Sequence, residues 1–331
     1  MTTIIFTDTH FGTKQNSITW FNSQKEFILM QLLPAIKSFD NVRLIHLGDV
    51  FDSRSTISTY IATGVVELFE KLSESVQEFI IIGGNHDYYS PNTDRIDTLN
   101  LLFRDFDIRL ITDHYEIDLD DIKSDDKNLY IPWYEWLNHE KDILDIINQN
   151  NIKNIFTHAD IVINPPKNIP SDVKVFSGHM HTPLIKDNLY NLGSCYSLDF
   201  SDSNADRGFY IIHENGTFER VINTQSIKFW RLYDEDIFKD AQYRSNDYFE
   251  IYISQSNLQD QTYVNRLSEY IKKYKNSVII PRYTQIEQSD IDSIDLKHCN
   301  IEDMIKDLIP EELSKKFGKV LEKYQEQSKQ D

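Results

Sequence analysis

Five short polar clusters lie within the first 181 residues, each directly after an apolar, strand-like run. Their aspartates, asparagine and histidines offer the oxygen and imidazole ligands that divalent transition metals accept. Together they provide more ligands than one ion can use, so the sequence predicts a site for two metals. The clusters are Asp8-Thr9-His10, Gly48-Asp49, Gly84-Asn85-His86-Asp87, Thr157-His158 and Gly178-His179-Met180-His181.

The first two clusters place carboxylates and an imidazole at the ends of successive strands. Asp8 and His10 are two residues apart, so on an extended chain both side chains leave the same side of the backbone and can bind one ion. Asp49 follows the next strand, and its two oxygens can bridge two ions. Taken singly, these residues also fit a turn, a cap or a structural histidine. For Asp52, a supporting position beside the metals and a simple cap are both open.

The third cluster, with Gly83 before it, is the most specific string in the chain. Three side chains that can bind a metal or move a proton follow a flexible pair of glycines. A plain turn would not need these side chains. Asn85 can offer a neutral carbonyl oxygen to a metal, and His86 can protonate a leaving group. Asp87 is predicted to orient the His86 ring and to stabilise its charge.

Histidine is concentrated at the strand ends. The chain has ten histidines; His179 and His181 repeat the two-apart spacing of the first cluster, and His158 follows another apolar run. Packing does not explain this concentration, so metal binding is predicted. The other five histidines occur in ordinary contexts and are predicted to be structural: His46, His114, His139, His213 and His298.

The elements that must position the clusters indicate an α/β domain. Nearly continuous apolar strands at 3–7, 42–47 and 79–82 alternate with helix-like segments at about 23–38 and 56–72, which is typical of βαβ units. After a helical stretch near 95–103 the pattern changes to short strands, which predicts a second sheet. Two sheets packed face to face with outer helices would form one four-layer domain over residues 1–224. The short strands are predicted at 115–119, 129–131, 155–157, 173–176, 189–192, 208–213 and 218–222, with a solvated loop at 120–128.

The last third of the chain indicates a separate module. A strand at 248–254, an amphipathic helix at about 258–274 and a strand at 278–283 predict a small α/β domain over 225–284.

Residues 285–331 are predicted to form a linker and C-terminal helices. The segment 285–294 is polar and acidic, and helical patterns follow at 301–308 and 311–327, separated by Pro310. The last helix has an apolar face, which either folds back onto its own domain or docks on a partner.

Composition limits the classes of function. The sequence has 34 basic and 53 acidic residues, a net charge of −19, which repels a polyanion at long range and argues against a passive nucleic-acid clamp. A nuclease is compatible with this charge, because bound divalent ions add local positive charge. No apolar run approaches the roughly 20 residues that cross a bilayer, and the start of the chain shows no secretory signal. With only Cys195 and Cys299 present, a cytoplasmic protein that does not contact membranes is expected.

The ordered set of clusters resembles the calcineurin-like metallophosphoesterase superfamily. Within it, the chain is similar to the SbcD or Mre-eleven-type DNA repair nucleases, particularly the shorter phage recombination subunits. The resemblance implies a four-layer α-β-β-α sandwich, a capping α/β domain that contacts DNA, and C-terminal helices that bind an SMC-like ATPase subunit of the SbcC type. The expected location is then a bacterial or phage-infected host cytoplasm. Further matching residues are Gly48 to Asp52, Ile131-Pro132-Trp133, Leu192-Gly193-Ser194, Leu198-Asp199-Phe200 and Arg207-Gly208-Phe209.

The resemblance also implies roles for the site residues. Asp49 would bridge the two ions, and His86 would be the catalytic histidine, outside the ligand set and directed at the scissile phosphate. Mixed oxygen and imidazole ligands suit Mn²⁺, with Mg²⁺ as the second possibility. Two departures from the family pattern, Thr157 in place of glycine and Asp52 in place of a histidine, remove no ligand. One ion would be bound by Asp8, His10, Asp49 and His181, and the other by Asp49, Asn85, His158 and His179.

Three hypotheses of function follow. The leading one is a Mn²⁺-dependent DNA exo- and endonuclease, the nuclease subunit of an SbcCD-like complex in DNA end processing, repair, recombination or phage DNA degradation. A homodimer is implied, formed through the apolar surfaces of 57–72 and 99–106. The second is a metallophosphoesterase that acts on nucleotides or phosphoproteins. The third is a non-catalytic scaffold, against which the complete set of ligands argues.

Overall fold

A computed structural model of the chain describes residues 1–90, 93–119, 127–161, 165, 168–234, 236–239 and 243–282. The chain divides into two compact units, Met1–Pro281 and Arg282–Asp331. Apart from Arg282, the second unit lies outside the described residues, as do the linker and helices predicted beyond 285.

The strands of the first half are β1 (Thr2–Phe6), β2 (Val42–His46), β3 (Glu78–Ile82), β4 (Tyr88–Ser90), β5 (Thr93–Asp97), β6 (Arg109–Ile111), β7 (Glu116–Leu119), β8 (Lys127–Ile131) and β9 (Ile152–Thr157). Those of the second half are β10 (Lys174–Ser177), β11 (Leu184–Lys186), β12 (Leu189–Asn191), β13 (Gly208–Ile212), β14 (Phe218–Ile222), β15 (Phe229–Tyr233), β16 (Tyr248–Ser254) and β17 (Ser277–Arg282). The helices are α1 (Thr13–Asn16), α2 (Ile18–Phe27), α3 (Leu33–Ile36), α4 (Thr59–Ser73), α5 (Thr98–Phe103), α6 (Trp133–Gln149), α7 (Gln255–Gln259) and α8 (Gln261–Lys273), with a π-helical turn at Ile28–Leu32 and a 3₁₀ turn at Phe200–Asp202.

Two six-stranded mixed sheets form the main body. The first has the order β14-β13-β1-β2-β3-β6, and the second has the order β11-β12-β10-β9-β8-β7. In the first sheet β1, β2, β3 and β6 are parallel, and in the second β8, β9, β10 and β12 are parallel. The carboxyl ends of parallel strands lie at one edge of each sheet, where open α/β sheets bind their ligands.

The two sheets pack face to face, with helices on both outer sides. Ile5 of β1 contributes to the core between the sheets together with Phe156 of β9. Its neighbour Ile4 contributes to the outer core of the first sheet, as alternation along a strand requires. On the far side, Ile143 and Ile147 of α6 belong to the core of the second sheet. The predicted four-layer α-β-β-α architecture is therefore confirmed. The prediction that the strands at 208–213 and 218–222 belong to the second sheet is wrong, because β13 pairs with β1 and β14 pairs with β13, both in the first sheet.

A small three-stranded sheet, in the order β15-β16-β17, follows the sandwich. Its core includes Leu232 and Phe249 from the strands and Leu267 from α8. Trp20 of the sandwich stacks on Phe229, with ring centroids 5.5 Å apart. The module has an apolar core of its own, while its division from the sandwich at residue 224 stays a prediction.

Some predicted elements differ from the structure. The helix predicted at 95–103 begins only at Thr98, because 93–97 pairs with β4 and Asp97 caps the helix by accepting from Asn100 N at 2.6 Å. The loop predicted at 120–128 is wrong at its end, where Lys127 and Asn128 already pair in β8. The helix α6 and the strand β15 were not predicted. Among the described residues, no helix has the length and apolar character that crossing a bilayer requires.

Candidate metal centre

Each polar cluster follows the carboxyl end of a strand. Asp8, Asp49 and Asn85 come from loops after β1, β2 and β3 of the first sheet, while His158 and His179 follow β9 and β10 of the second. The sandwich brings these loops together at one edge. Three groups of ligand atoms result, each with all its atoms within 4.8 Å of one another: Asp8, His10 and His181; His10, Asp49 and His86; Asp49, His158 and His179.

The first group joins the first and last clusters. His10 Nε2 lies 3.2 Å from His181 Nε2 and 3.8 Å from Asp8 Oδ1. His181 Nε2 is 3.9 Å from the same oxygen. Asp8 Oδ1 is buried and has no hydrogen-bond partner, and such an atom is costly unless something else binds it. An oxygen without a partner, facing two imidazole nitrogens, fits a divalent cation.

The group of Asp49, His158 and His179 is the second ligand group, and it adds an amide oxygen. His158 Nε2 lies 3.3 Å from Asp49 Oδ2, and Asn85 Oδ1 is 3.1 Å from His158 Nε2 and 2.8 Å from His179 Nδ1. Carboxylate, amide and imidazole donors converge here as they do in sites for divalent transition metals. The chain therefore places the predicted ligand types in two adjacent groups.

Asp49 lies between the two groups. Its Oδ2 is 3.5 Å from His10 Nε2 and 3.3 Å from His158 Nε2. Its Oδ1 accepts a hydrogen bond from the main-chain N–H of His86 at 2.8 Å. Oδ1 of Asp49 is therefore bound to the loop of the third cluster. Its Oδ2 is directed at His10 of one ligand group and at His158 of the other.

The charges of the centre hold its carboxylates in the ionised form. Burial raises the pKa of Asp8, but the interaction with His10 and the charge of His158 lower it more, to about 2. The pKa of Asp49 is lowered too, since His158 and His10 outweigh burial. Burial lowers the pKa of His158, and the Asp49 carboxylate raises it to about 9. The pKa of His179 is lowered by burial and by the charge of His158. Anionic oxygens of this kind attract cations.

His86 is only partly buried and is oriented by main chain. Its Nδ1 lies 2.6 Å from the carbonyl oxygen of Asp52, and because a carbonyl only accepts, Nδ1 carries the proton. The opposite nitrogen, Nε2, is then the atom with which the ring can act on a substrate. The His10 ring meets the His86 ring edge to face, with centroids 4.9 Å apart.

Asp87 has a different role from the predicted one. Its Oδ2 accepts from the N–H groups of Asp49 and Gly84, both at 2.9 Å, and its Oδ1 accepts from Val50 at 3.0 Å and Phe51 at 3.4 Å. Burial and the Asp49 carboxylate raise the pKa of Asp87 to about 7, against the opposing effect of these N–H groups. The prediction that Asp87 orients His86 is wrong, because its carboxylate ties the loops after β2 and β3 together.

Two glycines allow the ligand loops to approach closely. A Cβ on Gly84 would lie 2.2 Å from Asp49 N and 2.3 Å from Asp49 Oδ1, and a Cβ on Gly178 would lie 2.2 Å from Thr7 Oγ1 and 2.8 Å from Asp8 Oδ2. All four distances are shorter than the contacts that Cβ atoms make in folded proteins. The glycines of the third and fifth clusters are therefore required by the packing of the loops around the ligands.

Four predicted ligands have left-handed backbone. The φ angles are 52° at Asp8, 42° at His10, 55° at Asp49 and 77° at His179. Outside glycine this region costs roughly 1–2 kcal/mol per residue, and such strain concentrates at functional sites. The surrounding hydrogen bonds maintain it: Asp8 Oδ2, for example, accepts from Thr7 Oγ1 at 2.7 Å and from His179 N at 3.2 Å.

Several supporting residues had no signal in the sequence. The carbonyl of Thr9, between the first two ligands, accepts from Gln24 Nε2 at 2.9 Å and from the Tyr196 hydroxyl. His46 Nδ1 accepts from Gly48 N at 3.1 Å, and its Nε2 lies 3.0 Å from Thr9 Oγ1. Burial lowers the pKa of His46 to about 3, so it is a neutral structural residue, as the sequence predicted. The contacts of Thr9 with Gln24, His46 and Tyr196 join segments that are far apart in the chain, and local sequence patterns do not show such contacts.

Residues 1–183 match the family model described as calcineurin-like phosphoesterase. This is more than half of the 331 residues, and the chain belongs to that family. Membership makes the protein a metal-dependent hydrolase of phosphoesters, and the two ligand groups are where the ions of that family would bind.

Solved structures to which the chain is similar include the nuclease MPE of Pseudomonas putida. It is 15% identical, with 63% of this chain and 83% of that chain covered and a TM-score of 0.32. A second is the protein of unknown function AQ665 from Aquifex aeolicus, which is 20% identical, with 48% of this chain and 80% of that chain covered and a TM-score of 0.28. No curated protein matches the sequence.

Proposed function

We propose that the chain is a Mn²⁺-dependent DNA exo- and endonuclease that hydrolyses phosphodiesters with two metal ions. The observation that carries the proposal is the position of Asp49 Oδ2, 3.5 Å from His10 Nε2 and 3.3 Å from His158 Nε2. One carboxylate oxygen between two groups of ligands supports two ions side by side rather than one. The first ion would be bound by Asp8, His10, Asp49 and His181, and the second by Asp49, Asn85, His158 and His179.

Two ions bound there would supply positive charge to the phosphate oxygens and lower the pKa of a water molecule. The contribution of the chain itself is proton transfer and orientation. The hydrogen bond from Nδ1 to the carbonyl of Asp52 fixes the His86 ring, so that its Nε2, when protonated, can donate to the leaving oxygen. Among the described residues, the partly buried His86 combines a fixed ring with a position beside both ligand groups.

The case for DNA as the substrate comes from the resemblance of the five clusters and from the small α/β module after the sandwich. Two of the arginines in that module have structural partners. Arg231 Nε donates to Glu250 at 2.8 Å, and Arg244 donates to main-chain oxygens of Gln225 and Ser226. The exposed Lys273 and Lys275 are better candidates for contacts with phosphates.

A comparison of substrates with matched variants tests the proposal. Linear DNA, closed circular DNA, an aryl phosphodiester, a cyclic nucleotide and a phosphopeptide would be incubated with the protein and Mn²⁺. We expect His86→Gln to lower DNA cleavage by at least ~100-fold, the usual contribution of a general acid, with both metals retained. His213→Gln, the same substitution far from the ligand groups, should cleave at the wild-type rate.

Each alternative gives a different result. Full DNA cleavage by His86→Gln would exclude the proposed proton donor. Hydrolysis of the cyclic nucleotide or phosphopeptide without DNA cleavage would favour the second hypothesis, a metallophosphoesterase of small or protein substrates. A purified protein that binds no Mn²⁺ and cleaves nothing would favour a scaffold.

We also propose that the protein is a cytoplasmic homodimer and the nuclease subunit of a complex with an SMC-like ATPase of the SbcC type. Within the proposed dimer segments, Ile61, Val65 and Leu99 belong to the protein's own core. Tyr60 is 56% exposed and Leu101 is 78% exposed, which leaves them for a partner. Leu101→Glu should shift the sedimentation of the full chain from dimer to monomer, whereas Met30→Glu, on another exposed apolar residue, should not.

The ATPase interaction is tested by co-expression. The full chain should co-purify with the candidate ATPase, and a chain that ends at residue 284 should not. DNA cleavage by the complex with and without ATP would show whether the nucleotide controls the nuclease.

A further inference from the structure

The two ring nitrogens of His181 face two different carboxylates. Nε2 is turned into the ligand group, 3.2 Å from His10 Nε2 and 3.9 Å from Asp8 Oδ1. Nδ1 is turned away from it and lies 3.9 Å from Asp202 Oδ2. At this distance the second contact is electrostatic rather than a hydrogen bond. It still favours a proton on Nδ1, since the carboxylate repels a nitrogen lone pair.

Asp202 is itself held in place. Its side chain is 2% exposed. Oδ1 accepts from Arg207 Nη2 at 2.8 Å, and Oδ2 accepts from Leu198 N at 2.9 Å. Arg207 Nη1 lies 3.4 Å from Ser194 Oγ, and the N–H of Ser194 donates to the carbonyl oxygen of His181 at 3.0 Å. One short stretch of chain after the last cluster therefore contacts both the main chain and the ring of His181.

Two other histidines of the centre have oxygens in the same position. His158 Nδ1 donates to the carbonyl oxygen of Leu47 at 2.8 Å, and His10 Nδ1 lies 3.6 Å from Asp52 Oδ1. In metal sites, an oxygen behind the ligating histidine fixes the ring and the nitrogen that carries the proton.

We propose that Asp202 is a positioning residue for His181, which keeps the proton on Nδ1 and leaves the Nε2 lone pair to bind a divalent ion. The inference rests on the proposed metal centre. Arg207 anchors Asp202, and its positive charge also acts on Asp8 of the ligand group. The competing explanation is purely structural, with Asp202 serving only as the counter-ion of the buried Arg207.

Two variants separate these explanations. In Asp202→Asn, Arg207 takes the single amide oxygen, so the amide NH₂ faces His181 and favours the opposite tautomer. In Arg207→Gln, the ion pair is also lost, but the Asp202 carboxylate remains behind His181 and Gln can still donate to it. Both variants lose stability, whereas only Asp202→Asn removes the negative oxygen from His181. Asp199→Asn, a neutralised carboxylate three residues away, is the control.

Mn²⁺ titration by calorimetry and ¹⁵N NMR of the imidazoles in the metal-free full chain give the readouts. We expect Asp202→Asn to bind one of its two ions ~10–100-fold more weakly, the usual effect of losing such a partner. The proton of His181 should move from Nδ1 to Nε2. Arg207→Gln and Asp199→Asn should keep the wild-type tautomer, and neither should weaken Mn²⁺ binding. Unchanged binding and tautomer in Asp202→Asn, or an equal loss in Arg207→Gln, would overturn the inference. Wild-type protein that binds no Mn²⁺ would instead refute the proposed function, and the tautomer would still decide the role of Asp202.

Discussion

Replacement of Asp87 by asparagine tests whether this carboxylate ties the ligand loops together. Its two oxygens accept four main-chain N–H groups, two each. Asparagine keeps one acceptor oxygen, so two buried N–H groups lose their partner and face an NH₂ group instead. A buried donor without a partner costs about 1–3 kcal/mol, which gives a loss of ~2–6 kcal/mol in the free energy of unfolding for Asp87→Asn.

Urea denaturation of the metal-free full chain would measure this loss. The experiment is done at pH 8, because the pKa of Asp87 is raised to about 7 and the wild-type side chain is then charged. Asp97→Asn is the matched control. Asp97 caps α5 through a single main-chain donor, Asn100 N, and asparagine caps helices as well as aspartate does, so this variant should lose less than ~1 kcal/mol.

The result also separates the two roles considered for Asp87. If it oriented His86, Asp87→Asn would cleave DNA more slowly at nearly unchanged stability. If it clamps the loops, stability falls and Mn²⁺ binding weakens with it, since Asp49 N is one of the four donors. A stability within ~1 kcal/mol of wild type, or an equal loss in Asp97→Asn, would refute the reasoning from the hydrogen bonds.

Three further predictions concern pH and packing. Burial lowers the pKa of His46 to about 3, so the contribution of His46 to the free energy of unfolding is complete above its unfolded pKa of ~6.5 and is lost as the pH falls towards 3. Between pH 7.5 and 5.0, the metal-free wild type should therefore lose ~2 kcal/mol more stability in urea denaturation than His46→Gln does. Parallel pH profiles of the two proteins would contradict this. The Asp49 carboxylate outweighs burial and raises the pKa of His158 to about 9, so Mn²⁺ must displace a proton from this ring when it binds. The affinity for Mn²⁺ should therefore rise with pH from 6 to 8, and the released proton should appear in calorimetry as an enthalpy that depends on the buffer. An affinity independent of pH would count against this prediction. A Cβ at position 178 would lie 2.2 Å from Thr7 Oγ1, so Gly178→Ala should lower both the thermal midpoint and Mn²⁺ affinity. At Gly216 nothing lies within 4 Å of the added Cβ, so Gly216→Ala should leave Mn²⁺ affinity unchanged.

The strands and the ligands were predictable because their signals are local. β1, β2 and β3 are short and apolar, and all or nearly all of their residues are buried. Each strand is followed by polar side chains of a kind that is not expected within a buried strand. Parallel strands bring their carboxyl ends to one edge, so the proximity of His10 and Asp49, which follow β1 and β2, was expected from the topology. The sequence thus sufficed for the four layers, although it placed β13 and β14 in the wrong sheet.

The supporting contacts were not predictable, since they depend on distances between segments far apart in the chain. Asp87 immediately follows His86, and this adjacency suggested a contact that the loop geometry does not make. Its carboxylate instead accepts from Val50, 37 residues earlier. Helix α6 was missed for another reason: Ile143 and Ile147 form part of a narrow apolar face in a segment where charged and polar residues predominate.

The ligands come from both sheets. Asp8, Asp49 and Asn85 follow strands of the first sheet, and His158, His179 and His181 follow strands of the second. Ions bound between them would cross-link the two halves of the sandwich. These halves also meet through apolar side chains such as Ile5 and Phe156 and through hydrogen bonds such as that from His179 N to Asp8 Oδ2. The ligand set exists only when both sheets are in place, so metal binding adds to the free energy of separating them. The ions would then cross-link the two sheets. A chelator would weaken the contact between the sheets at the edge that carries the ligands, while the apolar core keeps the chain folded.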